Sequence, residues 1–130
     1  MTDNRSTIEQ LYEAIAKQDV PRLMDLLDDD IRWTINIGVP HSVPWWGDFR
    51  GKAEIGKFFA GLTAVEWTDF SVQDLVCEGD VAMALLHAAF RTSNGREADF
   101  LEVHVWRLRD GKVISLDALE DTAQVKEALA

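Results

Sequence analysis

Apolar side chains at Ile8, Leu11, Tyr12 and Ile15 recur at the i, i+3, i+4, i+7 spacing of one helical face. Ser6 stands three residues before Glu9, the spacing of a capping box, so an amphipathic helix opens the chain. Asp19 is placed to cap a second helix that tolerates Pro21 in its first turn and buries Leu23, Leu26 and Leu27. Asp28, Asp29 and Asp30 then oppose the helix dipole and predict its end. From Ile31 the period changes to two, with Ile31, Trp33, Ile35 and Ile37 on one side and Arg32, Thr34 and Asn36 on the other, which predicts a half-buried strand. Gly38 to Arg50 reads as a long irregular segment carrying Trp45, Trp46 and Phe49. Ile55, Phe58, Phe59 and Leu62 restore helical spacing over about 52–62.

Four strand-like runs follow, near 65–77, 80–92, 97–109 and 112–120. Gly79-Asp80, Asn94-Gly95 and Asp110-Gly111 separate them, and the last two dipeptides are favoured in type I′ hairpin turns. Asp121 and Gln124 have capping-box spacing for a short terminal helix. Helices first and an antiparallel meander afterwards predict a single α+β domain over 1–130: three N-terminal helices on one face of a curved, mainly antiparallel sheet of five strands that encloses a pocket.

Two-residue turns at Asn94-Gly95 and Asp110-Gly111 would set His87 opposite Glu102, and His104 opposite Asp117. One face would then carry His87, Glu102, His104 and Asp117 beside Leu85, Phe100, Trp106 and Leu119. The other would carry Leu86, Ala88, Leu101, Val103, Val105 and Leu116. In one reading the polar cluster lines the pocket and the aliphatic face meets a second layer or subunit. In the other the aliphatic face is the core and the polar groups are solvated. One bulge or a longer turn would exchange the faces.

Composition narrows the partners. The 130 residues carry 13 Lys and Arg against 23 Asp and Glu, a formal charge of -10 without a basic stripe, which disfavours nucleic acid and anionic membrane surfaces. Cys77 is the only cysteine, so no disulfide joins two cysteines of this chain, and a cytoplasmic setting is expected. The first twenty residues lack the apolar core of a signal peptide, and no run approaches the length of a membrane span.

The candidate chemistry is acid–base. A carboxylate beside a histidine fixes its tautomer and stabilises its protonated form, while an apolar pocket raises a carboxyl pKa so that Asp117 or Glu102 can donate. A cross-strand structural hydrogen bond accounts for the same pattern. Asp28 to Asp30 as a cation site, and His87, Glu102 and His104 as a facial triad for iron or zinc, are weaker alternatives, and no metal or cofactor is expected. The glycines form no phosphate cradle, and Cys77 reads as a small strand residue. Trp45, Trp46 and Phe49 read as a lid over an apolar ligand, a rim for a subunit contact, or plugs closing one end of the core. Tyr12 points its hydroxyl into the cavity or rests in the core with that hydroxyl satisfied.

Several stretches carry a resemblance: Ile8 to Lys17 running into Gln18-Asp19, Leu26 to Trp33, and Gly47-Asp48-Phe49-Arg50-Gly51 before Ile55 and Phe58-Phe59. Glu78-Gly79-Asp80-Val81 and Trp106 to Ile114 complete it. Through them the chain resembles the SnoaL-like branch of the nuclear-transport-factor-2-like superfamily, which includes ketosteroid isomerases, polyketide cyclases, scytalone dehydratase and limonene epoxide hydrolase. The resemblance implies a cone-shaped roll with a pocket, often dimeric, so a homodimer is expected. Ile35, Leu11 and Leu101 stand at or nearest the positions where ketosteroid isomerases have their base aspartate, tyrosine and oxyanion-hole aspartate. The epoxide hydrolase pattern fails because Asp99 lacks an Arg two residues before it. His104 and Asp117 are similar in type and spacing to the His and Asp of SnoaL-like ester cyclases. His87, His104, Asp117 and Tyr12 loosely match the dehydratase set.

The expectation is a cofactor-independent enzyme of cyclase, isomerase or dehydratase type, acting on a small hydrophobic carbonyl or hydroxyl compound. His104 would abstract a proton, Asp117 would orient it, and Glu102 or His87 would hydrogen-bond the developing oxyanion. Tyr12, Trp33, Trp45, Trp46, Phe49, Phe100 and Trp106 would position substrate. The alternative is a non-catalytic module of the same fold that binds a small ligand or pairs subunits. A metal-dependent enzyme is a further alternative.

Overall fold

The structure, a computed structural model, describes residues 3–36, 38 and 42–130. Ile37, assigned above to the first strand, lies outside them. Helix α1 spans Asn4–Ala16 and buries Ile8, Leu11 and Tyr12 as the spacing predicts. Its cap is Asp3, whose carboxylate accepts from the Arg5 amide; Ser6 lies inside the helix and bonds Gln10 instead. Helix α2, Val20–Leu26, is capped by Asp19 with Pro21 in its first turn. The acidic run that ends it does not form a linker: strand β1 begins at once and spans Leu27–Ile35.

Within the segment read as irregular, Gly47–Arg50 forms a short edge strand, β2, paired antiparallel with β1. Helix α3, Gly51–Leu62, follows without a break. Strands β3 (Glu66–Glu78), β4 (Val81–Arg91), β5 (Glu97–Arg109) and β6 (Lys112–Leu119) form the meander. Helix α4, Thr122–Leu129, closes the chain behind its Asp121 cap. The sheet has six strands in the order β2-β1-β6-β5-β4-β3. The pair β1·β6 is parallel and every other neighbouring pair is antiparallel. The α+β roll is therefore as expected, with a strand and a terminal helix beyond the minimal pattern.

The sheet faces depart from expectation at two places. The β4–β5 loop is one residue longer than a two-residue turn: Arg91 faces Glu97, the Thr92 amide donates to the Arg96 carbonyl, and Gly95 alone takes a positive φ of 86°. A turn ending in a left-handed glycine has this form. The Thr92 hydroxyl holds it by accepting from the Arg96 amide at 3.0 Å. His87 consequently faces Leu101, and Leu86 faces Glu102. At the next turn Asp110 and Gly111 both take positive φ, the predicted type I′ geometry. A bulge between Arg107 and Leu108 then shifts the register, so His104 faces Ala118, and Asp117 faces Val105.

The concave face combines both sets predicted from sequence. It carries Leu86, Ala88 and Phe90 from β4, Phe100, Glu102, His104 and Trp106 from β5, and Leu116 and Ala118 from β6. His87 and Asp117 stand on the convex face with Val103 and Val105. There Val76, Met83, Leu101 and Leu119 are each more than half exposed.

Helix α3 is clamped to the segment before β2 at Gly61. A Cβ there would lie 2.3 Å from the Pro44 carbonyl oxygen, a backbone atom that cannot swing aside. Gly56, on the same helix, has nothing within 4 Å of the corresponding position. Gly61→Ala is expected to cost about 1–3 kcal/mol through overpacking. Gly56→Ala is expected to be neutral or stabilising by up to about 1 kcal/mol. Urea denaturation of both variants checks this; equal effects would contradict the clamp.

Candidate active site

Two packed elements, α1 and β5, build a hydrogen-bonded chain in the core. Trp106 on β5 donates its indole N–H to Tyr12 Oη at 2.8 Å. Tyr12, on the buried stripe of α1, lies 2.7 Å from His104 Nδ1. His104 Nε2 lies 2.6 Å from Glu102 Oε2, two residues back along β5. Alternation along β5 places Glu102, His104 and Trp106 on one face without help from any turn. Tyr12 and His104 stack with rings 8° from parallel, and Trp106 meets both edge-on.

The pattern that uses every proton is directional. Tyr12 O–H donates to Nδ1, while Nε2–H donates to Glu102, which selects the Nε2–H tautomer. Burial pushes the Tyr12 phenol well above its ordinary range, so it remains a donor. Both His104 nitrogens are committed. The remaining acceptor on the pair is Glu102 Oε1, which accepts no hydrogen bond among the described residues.

This chain borders a cavity of about 890 Å³, within the size range of small-molecule sites. Trp33, Phe58, Phe59, Trp67, Phe70 and Trp106 supply its aromatic wall, and Glu102, His104 and Glu120 are among its polar groups. Trp33 and Trp106 thus stand where ligand-positioning residues were expected. Tyr12 supports His104 instead of lining the cavity. Trp45 and Trp46 are fully buried plugs, not a lid. Phe100 packs on Phe90 and Phe49 on Phe58, behind the lining.

His87 and Asp117 do not join the site, because the longer turn and the bulge place both on the convex face. His87 sits between two carboxylates there, with Nδ1 on Asp69 and Nε2 2.6 Å from Asp99. The bond to Asp69, then that to Asp99, raises its pKa above the ordinary histidine value. No cluster of three or more His, Cys, Asp or Glu with metal-holding geometry occurs among the described residues. No helix there is long and apolar enough to cross a membrane.

Glu120 is the functional candidate that the sequence reading passed over. Its Oε1 accepts indole N–H bonds from Trp45 at 3.0 Å and Trp46 at 2.9 Å, and its amide donates to Asn36 Oδ1. Two adjacent indoles in an apolar segment must find acceptors once buried, and that need was a readable signal. Burial, then the charge of Glu102, pushes the Glu120 carboxyl up to about 8 despite the opposing pull of the indoles. Of the five indoles, Trp33 alone has a buried N–H without a partner among the described residues.

A helix-flanked curved sheet around such a cavity defines an α+β roll of the nuclear-transport-factor-2-like class. The SnoaL-like domain profile matches residues 8–116, and the chain belongs to that family. Among solved structures, it is similar to a nuclear-transport-factor-2-like protein of unknown function from Burkholderia pseudomallei. The two share 26% identity and a TM-score of 0.89, over 100% of this chain and 99% of that one. It is also similar to TerC, co-crystallised with polyporic acid, at 22% identity and a TM-score of 0.86 over 97% of each chain. IdmH from Streptomyces antibioticus, provisionally named a polyketide cyclase, is 21% identical with a TM-score of 0.76, over 98% of this chain and 99% of that one. The search of curated proteins gave no match.

The raised Glu120 carboxyl makes stability depend on pH. Its ordinary value is 4.5, so its contribution is fully present below that pH and is lost as pH rises through about 8. Glu120→Gln, which keeps an acceptor for the indoles, is expected to flatten this dependence. Melting temperatures at pH 5, 7 and 9 check it: wild type should fall more steeply than the variant. Parallel curves would contradict a neutral buried Glu120.

Proposed function

We propose that the protein is a cofactor-independent acid–base enzyme acting on a neutral hydrophobic carbonyl compound. The observation that carries this reading is Glu102, which lines an apolar cavity with Oε2 held by His104 and Oε1 uncommitted among the described residues. Proton abstraction next to a carbonyl needs a base with fixed orientation and little competing water.

In this mechanism Glu102 takes the role first expected of His104. Oε1 accepts a proton from the carbon beside the carbonyl, and the electron pair of the broken C–H bond passes into the enolate. His104 is a positioning residue: its Nε2–H holds Oε2, and the Tyr12 O–H holds its ring. Reprotonation at another carbon, attack of the enolate on a second carbonyl, or loss of a hydroxyl would give isomerisation, cyclisation or dehydration from the same start. The acidic cavity and the charge of -10 favour an uncharged substrate. Membership of the SnoaL-like family and the provisional name of IdmH support this class of chemistry.

Hydrogen–deuterium exchange of 2-tetralone in D2O, followed by NMR, tests the proton-transfer step. Wild type is expected to accelerate exchange above buffer, and Glu102→Gln to lose about 10²–10⁴-fold of that acceleration. Tyr12→Phe should lower it less. Exchange that survives Glu102→Gln, or no acceleration by wild type, would overturn the assignment.

A further inference from the structure

Glu120 has no part in the proton abstraction just described, yet it opens onto the same cavity. Its cradle is specific. Trp45 and Trp46 come from the segment that Gly61 lets lie against α3, and Asn36 comes from the end of β1. Asn36 takes a positive φ of 55°, a conformation that asparagine tolerates better than most residues. Its side chain accepts from the Glu120 amide and donates to the Thr122 hydroxyl at 3.3 Å, fixing the chain where β6 leads into α4. Oε1 accepts both indoles, whereas Oε2 has only the longer Trp45 contact of 3.2 Å. A proton on this carboxyl therefore belongs on Oε2, where no acceptor for it occurs among the described residues.

We propose that Glu120 forms a second polar pole of the cavity, a neutral carboxylic acid whose Oε2–H binds the carbonyl oxygen of a neutral ring ketone. The inference deepens the acid–base reading and rests on it only for the role of Glu102. Glu102 and Glu120 come next along the ladder after the Val103–Leu119 pair of β5 and β6, so the two carboxyl groups are neighbours, a carboxylate that accepts and a carboxylic acid that donates. Two carboxyl groups in one apolar cavity reach that division because ionising both is costly. Glu102 is the charged group acting most directly on Glu120, and burial and that charge both favour its neutral form. The neighbours from the 42–46 segment, β1 and α4 are uncharged indole, amide and hydroxyl groups. His104, Asp19 and Glu66 line the same cavity.

The ligand class follows from these two neighbouring carboxyl groups and the aromatic wall around them: an uncharged ring compound presenting a carbonyl oxygen. An anionic carboxylate ligand would meet Glu102 with like charge and is disfavoured.

Equilibrium dialysis with 1-tetralone and tetralin, ring systems that differ by the carbonyl, tests this without turnover. In wild type the affinity ratio of 1-tetralone to tetralin is expected to fall roughly tenfold from pH 6 to pH 9.5, as Glu120 loses the proton it donates. In Glu120→Gln, whose amide donates without titrating, the ratio should stay constant at its low-pH level. A wild-type ratio independent of pH, an equal fall in Glu120→Gln, or failure of both probes to bind at millimolar concentration would overturn the proposal. The arms separate the two readings. A titrating ratio without 2-tetralone exchange removes only the Glu102 mechanism, and exchange with a flat ratio removes only the Glu120 pole.

Discussion

The structure depends on a buried phenol. Tyr12 Oη accepts from the Trp106 indole N–H and donates to His104, so one oxygen ties the first helix to β5. Each of these groups is almost fully removed from water, and an unmet buried donor costs about 1–3 kcal/mol. The helix cannot rotate without breaking both bonds. The histidine in turn cannot change tautomer without losing either Tyr12 or Glu102, so the helix–sheet contact also sets the direction of the carboxylate facing the cavity.

The cavity itself is a consequence of layer geometry. Helices α1, α2 and α3 cover one side of a sheet that bends away from them, and large aromatics fill the ends of the space between the layers. Trp45 closes one end against Trp67 and Phe90, at ring separations of 5.1 and 5.5 Å. Trp33 packs on Phe58, Phe59 and Trp106. The space left between these clusters is apolar apart from a few groups that the strands aim inward. Two of them are glutamates in different states. One shares its oxygen with a histidine, and the other is held by indoles too weakly to offset its burial.

Much of this was legible in the sequence, and the failures have identifiable causes. The helices, the strand order of the meander and the inward set on β5 follow from periodicity, which acts within a single element. The relative faces of β4 and β6 depend on loop geometry between elements. Asn94-Gly95 fits a two-residue turn, but Thr92 can also bond the Arg96 amide, and that alternative won. Nothing in Val113-Ile114-Ser115 announces the bulge that carries Asp117 outward. The same shift carries Glu120 inward, which is why it was missed while His87 and Asp117 were selected. The β2 strand was missed because four residues at a sheet edge carry too little alternation to detect.

In the proposed mechanism His104, engaged at both ring nitrogens, positions Glu102 at the cavity. The most direct test is the 15N spectrum of the histidine side chains at pH 7, assigned with a His104→Gln variant. The expected result is an Nε2–H tautomer for His104, with Nδ1 unprotonated and accepting from Tyr12, and a change at Nδ1 in Tyr12→Phe. A His104 signal that shows Nδ1–H, or that exchanges freely between tautomers as an exposed ring does, would contradict it.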